Sequence, residues 1–438
     1  MRDSLVVLLV LTFALVALRR PFFGLMGYVF IGILSPHSFS WGFARTFPLA
    51  LIVASGIFIG LALSSESKRI PLRSETIILL LLWILFAIST IAAQSKELLG
   101  LQENAQDGFI FFSKIFLMWI ASIVLITTQD RLKIFLKVIA LSLGFFAVKG
   151  GFFAIISGGS QMVWGPSQSY LHSNNAIGLA MAMNVPLLYY LQKFEEKIWL
   201  RWIMRTMIVF SYPAVICTFS RGAWLGLVTG TGWIIFKHKF RAPLIILGCL
   251  GLLVGLLFLG TQFVPDRVVA RFDDLRNYEE EGSAVSRFWN WEFCIRVGTA
   301  NPFSGEGFNF YNTGAYFQYF PEFIEKYGSE KVWSCHSMWF TILAEHGVVA
   351  FLAWVFLWVS VFLSLRKIGS SSKLAEESPF ILAVADMLKG AFLVCLVIGT
   401  FLDTAYFELI FSLIAVVVIL KEISSRGQAD PIVSMERN

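Results

Sequence analysis

Apolar runs long enough to cross a lipid bilayer recur along this chain, and one long polar stretch interrupts them. Few folds remain open to such a pattern. A helix needs about 20 apolar residues to span a hydrocarbon core. Residues 243–260 and 78–93 are the clearest runs of that kind. They are continuous rather than short and alternating, so they argue for helices and against a β-barrel. Charged residues make up 15% of the chain, against about 25% in a soluble domain. The chain is therefore expected to be an all-α integral membrane protein. Arg19-Arg20 follow the first apolar run where a small-residue cleavage site would stand, so no cleavable signal peptide is expected.

The candidate spans are 4–18, 22–35, 47–63, 76–93, 109–128, 134–157, 175–192, 203–219, 222–236, 243–263, 337–365, 380–402 and 407–420. With the first two short, about 12 (12–13) crossings are expected. Basic connectors mark the cytoplasmic side. Lys68, Arg69 and Arg73 mark one, then Arg131 and Lys133, then Lys193, Lys197 and Arg201, then Lys237, Lys239 and Arg241, then Arg366, Lys367 and Lys373, and last the tail with Lys421 and Arg426. They alternate with 94–108, 158–174, 220–222, 264–335 and 403–406. This layout divides the chain into a helix bundle (1–263), an external loop (264–335), a second bundle segment (336–420) and a cytoplasmic tail (421–438). The side of the N-terminus stays open. The net charge of +6 is what cytoplasmic loops bring and calls for no nucleic acid.

The polar stretch 264–335 holds eleven Asp/Glu and seven Lys/Arg. Its spacing predicts a helix over 284–297, opened by Ser283 and stopped by Asn301-Pro302, with a turn at Gly305-Glu306-Gly307. Phe308, Phe310, Tyr311, Tyr316, Phe317, Tyr319 and Phe320 then crowd together. Resting on the membrane interface is the favoured reading for most of them; a platform for sugar or lipid is the other. Cys294 and Cys335 fall in this stretch and could pair in an oxidising compartment.

Arg221, between two apolar spans, is costly and needs a partner. It is either an interfacial anchor or a bidentate phosphate ligand. Arg287 either pairs with an acid such as Glu292 or meets a ligand phosphate. His336, where the loop re-enters the membrane, is either a satisfied interface histidine or a group placed to move protons. Glu345 and His346 read as polar contacts inside the bundle. Lys114 and Lys149 either snorkel or join Arg45 in an outward-facing cationic surface. No metal or nucleotide motif occurs, and no cofactor is expected.

Taken in order, Ser220-Arg221-Gly222 with Trp224 and Gly226, Ser286-Arg287 with Trp291, Asn301-Pro302 with Gly305 and Gly307, and His336 with Glu345 and Gly347 resemble the O-antigen ligase and Wzy-type polymerase superfamily. The likeness covers about residues 220–347 and is closest to ligases, including a subgroup of putative O-glycosylation ligases. It implies a GT-C-like bundle of about a dozen helices in the bacterial inner membrane, with one long, partly helical periplasmic loop. It also implies a glycosyltransferase that moves a glycan from undecaprenyl diphosphate to a hydroxyl acceptor without metal. By this resemblance Arg221 and Arg287 hold the diphosphate and His336 is catalytic. Lys114, Lys149, Arg45, Trp291 and Glu345 are candidate supports. Ser337 stands where relatives often carry Asn. Protein-directed relatives tend to carry a further C-terminal soluble domain, which favours a lipid A–core acceptor and lipopolysaccharide biosynthesis here. The rivals are an O-antigen polymerase, a protein O-glycosylating ligase, and a polyprenyl-glycan flippase, for which inverted repeats and midplane charges are missing.

Overall fold

The computed structural model describes residues 2–66, 68–94, 101–237, 282–328 and 333–429. Among these residues the regular structure is helical, without strands. The first half supplies α1 (Arg2–Arg19), α2 (Pro21–Leu34), α3 (Leu49–Leu63), α4 (Ser74–Gln94), α5 (Leu101–Leu125), α6 (Gln129–Ile156), α7 (Asn174–Leu191), α8 (Ile198–Ile216) and α9 (Arg221–Lys237). The polar stretch folds as α10 (Gly282–Ala300), α11 (Thr313–Tyr319) and α12 (Pro321–Tyr327). The chain then continues through α13 (Met338–Gly369), α14 (Ser372–Glu377), α15 (Pro379–Gly399) and α16 (Glu408–Ala429). Each candidate span coincides with a helix except 243–263, which lies outside the described residues together with 264–281 of the loop.

By length and composition, α4, α5, α6, α13 and α15 can cross a membrane; α2 and α3 are apolar but shorter. Local chemistry sets where helices begin. Thr128, Ser173 and Ser371 accept hydrogen bonds from the first free N–H groups of α6, α7 and α14. Proline opens α2, α12 and α15, where its missing N–H costs nothing.

Contacts sort the connectors into two ends. At one end, Asp3 accepts from the N–H groups of Gly42 and Ala44 at 3.0 and 3.1 Å. Arg45 donates to Gln168, Val163 N–H donates to the Cys217 carbonyl, and Tyr170 packs edge-on against Phe407. The N-terminus, whose side the sequence left open, therefore sits with the 36–46, 158–172, 217–220 and 401–407 connectors. At the other end, basic residues meet acids: Arg131 with Glu66, Arg73 with Glu422, Lys137 with Glu195, Lys237 with Asp386, and Lys421 with Glu75.

The expected continuous span 337–365 is broken at Gly347, where φ is 80° and ψ 179°, a region essentially restricted to glycine. The turn after α10 fills the break. Glu306 and Gly307 donate to the Ala344 and Glu345 carbonyls at 3.0 and 2.9 Å, and Val348 donates to the Pro302 carbonyl at 2.7 Å. The backbone groups freed by the break are thus satisfied by protein, as they must be in a bundle.

The loop aromatics depart from the interface reading. Phe310, Tyr316 and Phe320 are fully buried with Phe293 in a core belonging to the polar stretch itself. Phe293 stacks on Tyr316 at 3.8 Å. Phe308 instead enters the bundle against Phe86 and His346. Of the rings singled out, Phe317 is largely exposed. The three helices of the polar stretch, closed on themselves by the Cys294–Cys335 disulfide, bury these rings against one another rather than at the interface.

Candidate active site

The end of α15 and the connector beyond it touch three of the sequence motifs, those of Arg221, Trp291 and His336. Ile398 packs against Gly222 and Gly226 at the start of α9. Gly399 faces Met338, and Thr400 Oγ1 accepts from Trp339 Nε1 at 3.4 Å. Phe401 lies 5.7 Å, ring to ring, from Trp291 of α10, which also meets Phe340 at 5.3 Å. Asp403 then turns back onto the start of α13. Its Oδ1 accepts from the Thr341 hydroxyl at 2.7 Å and the Ser337 N–H at 3.2 Å. Its Oδ2 accepts from the Ser334 hydroxyl and faces His336 Nδ1 at 3.5 Å.

His336 lies just outside the helix that follows it. It precedes the N-cap Ser337 and takes a left-handed backbone, φ 48°. Few non-glycine residues do so, and only where the surroundings hold them. Two such restraints flank it. Ser337 is held by Asp403, and Cys335 is joined by a disulfide to Cys294 of α10, with Cα atoms 5.9 Å apart. Closing that loop, 41 residues in sequence separation, contributes about 4 kcal/mol in a chain-entropy account. The imidazole stays 37% exposed, so a substrate can reach it.

Arg287, Trp291 and Cys294 follow i, i+4, i+7 spacing, so they share the face of α10 that meets residues 335–340. Arg287 stands about 10 Å along the axis from Cys294. It is half-buried, and burial pulls its guanidinium below its ordinary pKa. The ion pair with Glu292 is not formed. Glu292 binds Arg296 at 2.6 Å, and Arg296 also binds Glu322. Among the described residues Arg287 has no acidic partner.

Arg221 is the first residue of α9, reached through Phe219 at φ 52°. Ser220 Oγ accepts from Ala223 N–H, and the Thr218 carbonyl accepts from Asn174, which ties the turn to α7. Trp224 Nε1 donates to the Ile216 carbonyl at 2.9 Å. A helix N-terminus carrying an arginine offers an anion both dipole and charge.

The remaining candidates sit elsewhere. Glu345 is buried and accepts from Asn309 N–H, Tyr311 and Tyr406 at 2.9, 2.8 and 2.5 Å. It fastens the loop to the bundle and does not face solvent. Lys149 lies over the Phe39 ring at 4.9 Å, and Arg45 donates to Gln168 at 3.4 Å. Their contacts belong to the neighbouring connectors rather than to the α15 end. Lys114 is exposed on α5. Asp403 escaped the sequence reading. Its signal was a lone acid in the short 403–406 connector, which reads as ordinary surface until the fold sets it beside His336. Among the described residues no group of His, Cys, Asp and Glu could hold a metal ion.

Residues 206–355 match the O-antigen ligase family, and residues 1–196 match a family of unknown function (DUF5935). The first match contains Arg221, Arg287 and His336; Asp403 lies beyond it. A comparison with curated proteins finds no match.

Proposed function

We propose, on the match of residues 206–355 to the O-antigen ligase family, that the chain is an inner-membrane glycosyltransferase that moves a glycan from undecaprenyl diphosphate to lipid A–core. One observation carries this reading. The end of α15 brings the Arg221 turn, the Arg287 face of α10 and His336 onto one end of the bundle. The basic connectors gather at the opposite end, which favours the periplasm for the active end. In this topology about a dozen helices cross the membrane, and the loop 264–335 is periplasmic.

The donor diphosphate lies between Arg221 and Arg287, each able to grip it bidentately. Their charge makes undecaprenyl diphosphate the better leaving group. The acceptor hydroxyl attacks sugar C1. A C1–oxygen bond to the acceptor forms, and the C1–oxygen bond to phosphate breaks. His336 Nδ1 faces Asp403, leaving Nε2 to take the hydroxyl proton as a general base. Asp403 sets the tautomer and supports the imidazolium that results. The polyprenyl tail lies among the membrane helices beside the arginines. Arg45 and Lys149, beside the connectors at the same end of the bundle, add positive charge at long range rather than direct donor contacts.

The test is transfer by the purified protein from an undecaprenyl-diphosphate glycan, with lipid A–core, a protein and a second donor offered in parallel. Product on lipid A–core supports the ligase. Product on the second donor assigns a polymerase, and product on the protein assigns an O-glycosylating ligase.

A further inference from the structure

We propose that the groove between α1, α2 and α6 binds an anionic phospholipid, with its phosphate at Arg19 and Arg20 and an acyl chain along the apolar walls. The groove holds about 920 Å³, at the upper end of the roughly 300–1,000 Å³ of small-molecule and cofactor sites. Phe13, Leu15 and Val16 of α1, Phe23 and Phe30 of α2, and Val138 of α6 line it. From Arg20 to Phe30 it follows α2 for about 15 Å. Any membrane helix shows apolar side chains to lipid. This surface differs in being concave and in ending on two adjacent cations.

Both cations lie at the end of the bundle where Arg73, Arg131, Lys137, Lys237 and Lys421 meet acids. Arg131 binds Glu66 and covers the Phe22 ring, Arg73 binds Glu422, and Lys137 binds Glu195. Arg19 and Arg20 are exposed and form no ion pair or side-chain hydrogen bond among the described residues. Their backbone is held all the same: Arg20 N–H donates to the Val16 carbonyl, and the Arg20 carbonyl accepts from Phe23 and Gly24. Two guanidinium groups carried on adjacent residues of the tight α1–α2 turn can meet one phosphate. Walls continuous with the lipid-facing surface favour a phosphate that carries a tail over a free anion. Basic pockets between membrane helices attract anionic headgroups in this way.

Native mass spectrometry of the full chain, titrated with phosphatidylglycerol or with phosphatidylethanolamine of the same acyl chains, tests the proposal. One phosphatidylglycerol should be retained preferentially, and glycerol phosphate should not compete with it. The double variant R19Q/R20Q should weaken that binding by about tenfold or more. R19K/R20K, which keeps the charge, should retain part of it and separates charge loss from misfolding. V16W, which fills the groove, should displace the lipid with both arginines in place. Undiminished binding in R19Q/R20Q or in V16W would overturn the proposal. So would equal retention of the two lipids. A dimer in the wild type that V16W abolishes would give the groove to a second copy of the chain instead.

Discussion

His336 Nδ1 lies 3.5 Å from Asp403 Oδ2, although one residue precedes α13 and the other follows α15. The carboxylate is anchored independently of the histidine, by Thr341 and the Ser337 backbone. An anchored carboxylate can hold an imidazole in one orientation and one tautomer. Asp403 is thus a positioning residue in the proposed reaction. Asp403→Asn should lower kcat by at least about tenfold, leave KM for the donor lipid nearly unchanged and alter the pH–rate profile. Thr341→Val removes one anchor and keeps the carboxylate, so most activity should survive. A wild-type pH profile and rate in Asp403→Asn would remove the residue from the mechanism.

The arginines give a second test. Arg221→Ala and Arg287→Ala should each abolish transfer and weaken donor binding while the protein still elutes as a single folded species. Lysine at either position should rescue only partly, because it lacks the two-pronged fork. Full activity in both alanine variants would reduce the arginines to surface anchors.

Gly347 tests the docking of the loop. Its backbone occupies a region closed to other residues, and an added Cβ would stand 2.6 Å from the Pro302 carbonyl oxygen. Gly347→Ala should cost about 1–3 kcal/mol, read as a lowered thermal unfolding midpoint together with lost transfer. An unchanged midpoint would mean that α13 can close its break without harm.

The orientation of the bundle is open to labelling. Gly282→Cys and Gly427→Cys would be introduced one at a time, with Cys217, Cys249 and Cys395 replaced by alanine. An impermeant thiol reagent on spheroplasts should label position 282 and spare 427. The reverse pattern would put the active end in the cytoplasm, away from a periplasmic acceptor.

Much of the helical layout could be read from the sequence because apolar runs of bilayer length have one economical backbone solution. The pairs that shape the site were harder to see. The family likeness marks Gly347, but not that the helix breaks there, and the break shows only once Pro302 and Glu306 are in place. Asp403 looked like any short-connector acid, since its meaning depends on two helix ends meeting. The loop aromatics misled for a related reason. Composition places such rings at an interface, and only packing through Phe293 and the Cys294–Cys335 link reveals a private core. The Glu292 pair suggested for Arg287 is not formed, because Arg296, one turn beyond Glu292, takes that carboxylate and Glu322 together.

The central claim is that His336 performs the chemistry while the arginines hold the donor. It is tested most directly by measuring donor binding and glycan transfer on the same purified preparations of wild type, His336→Ala and His336→Gln. The account predicts that both variants bind the undecaprenyl-diphosphate glycan almost as wild type does. It also predicts that both transfer it about a hundred- to ten-thousandfold more slowly, the usual worth of general acid–base assistance. Near-native transfer by His336→Gln, which can hydrogen-bond but cannot take the proton, would contradict it.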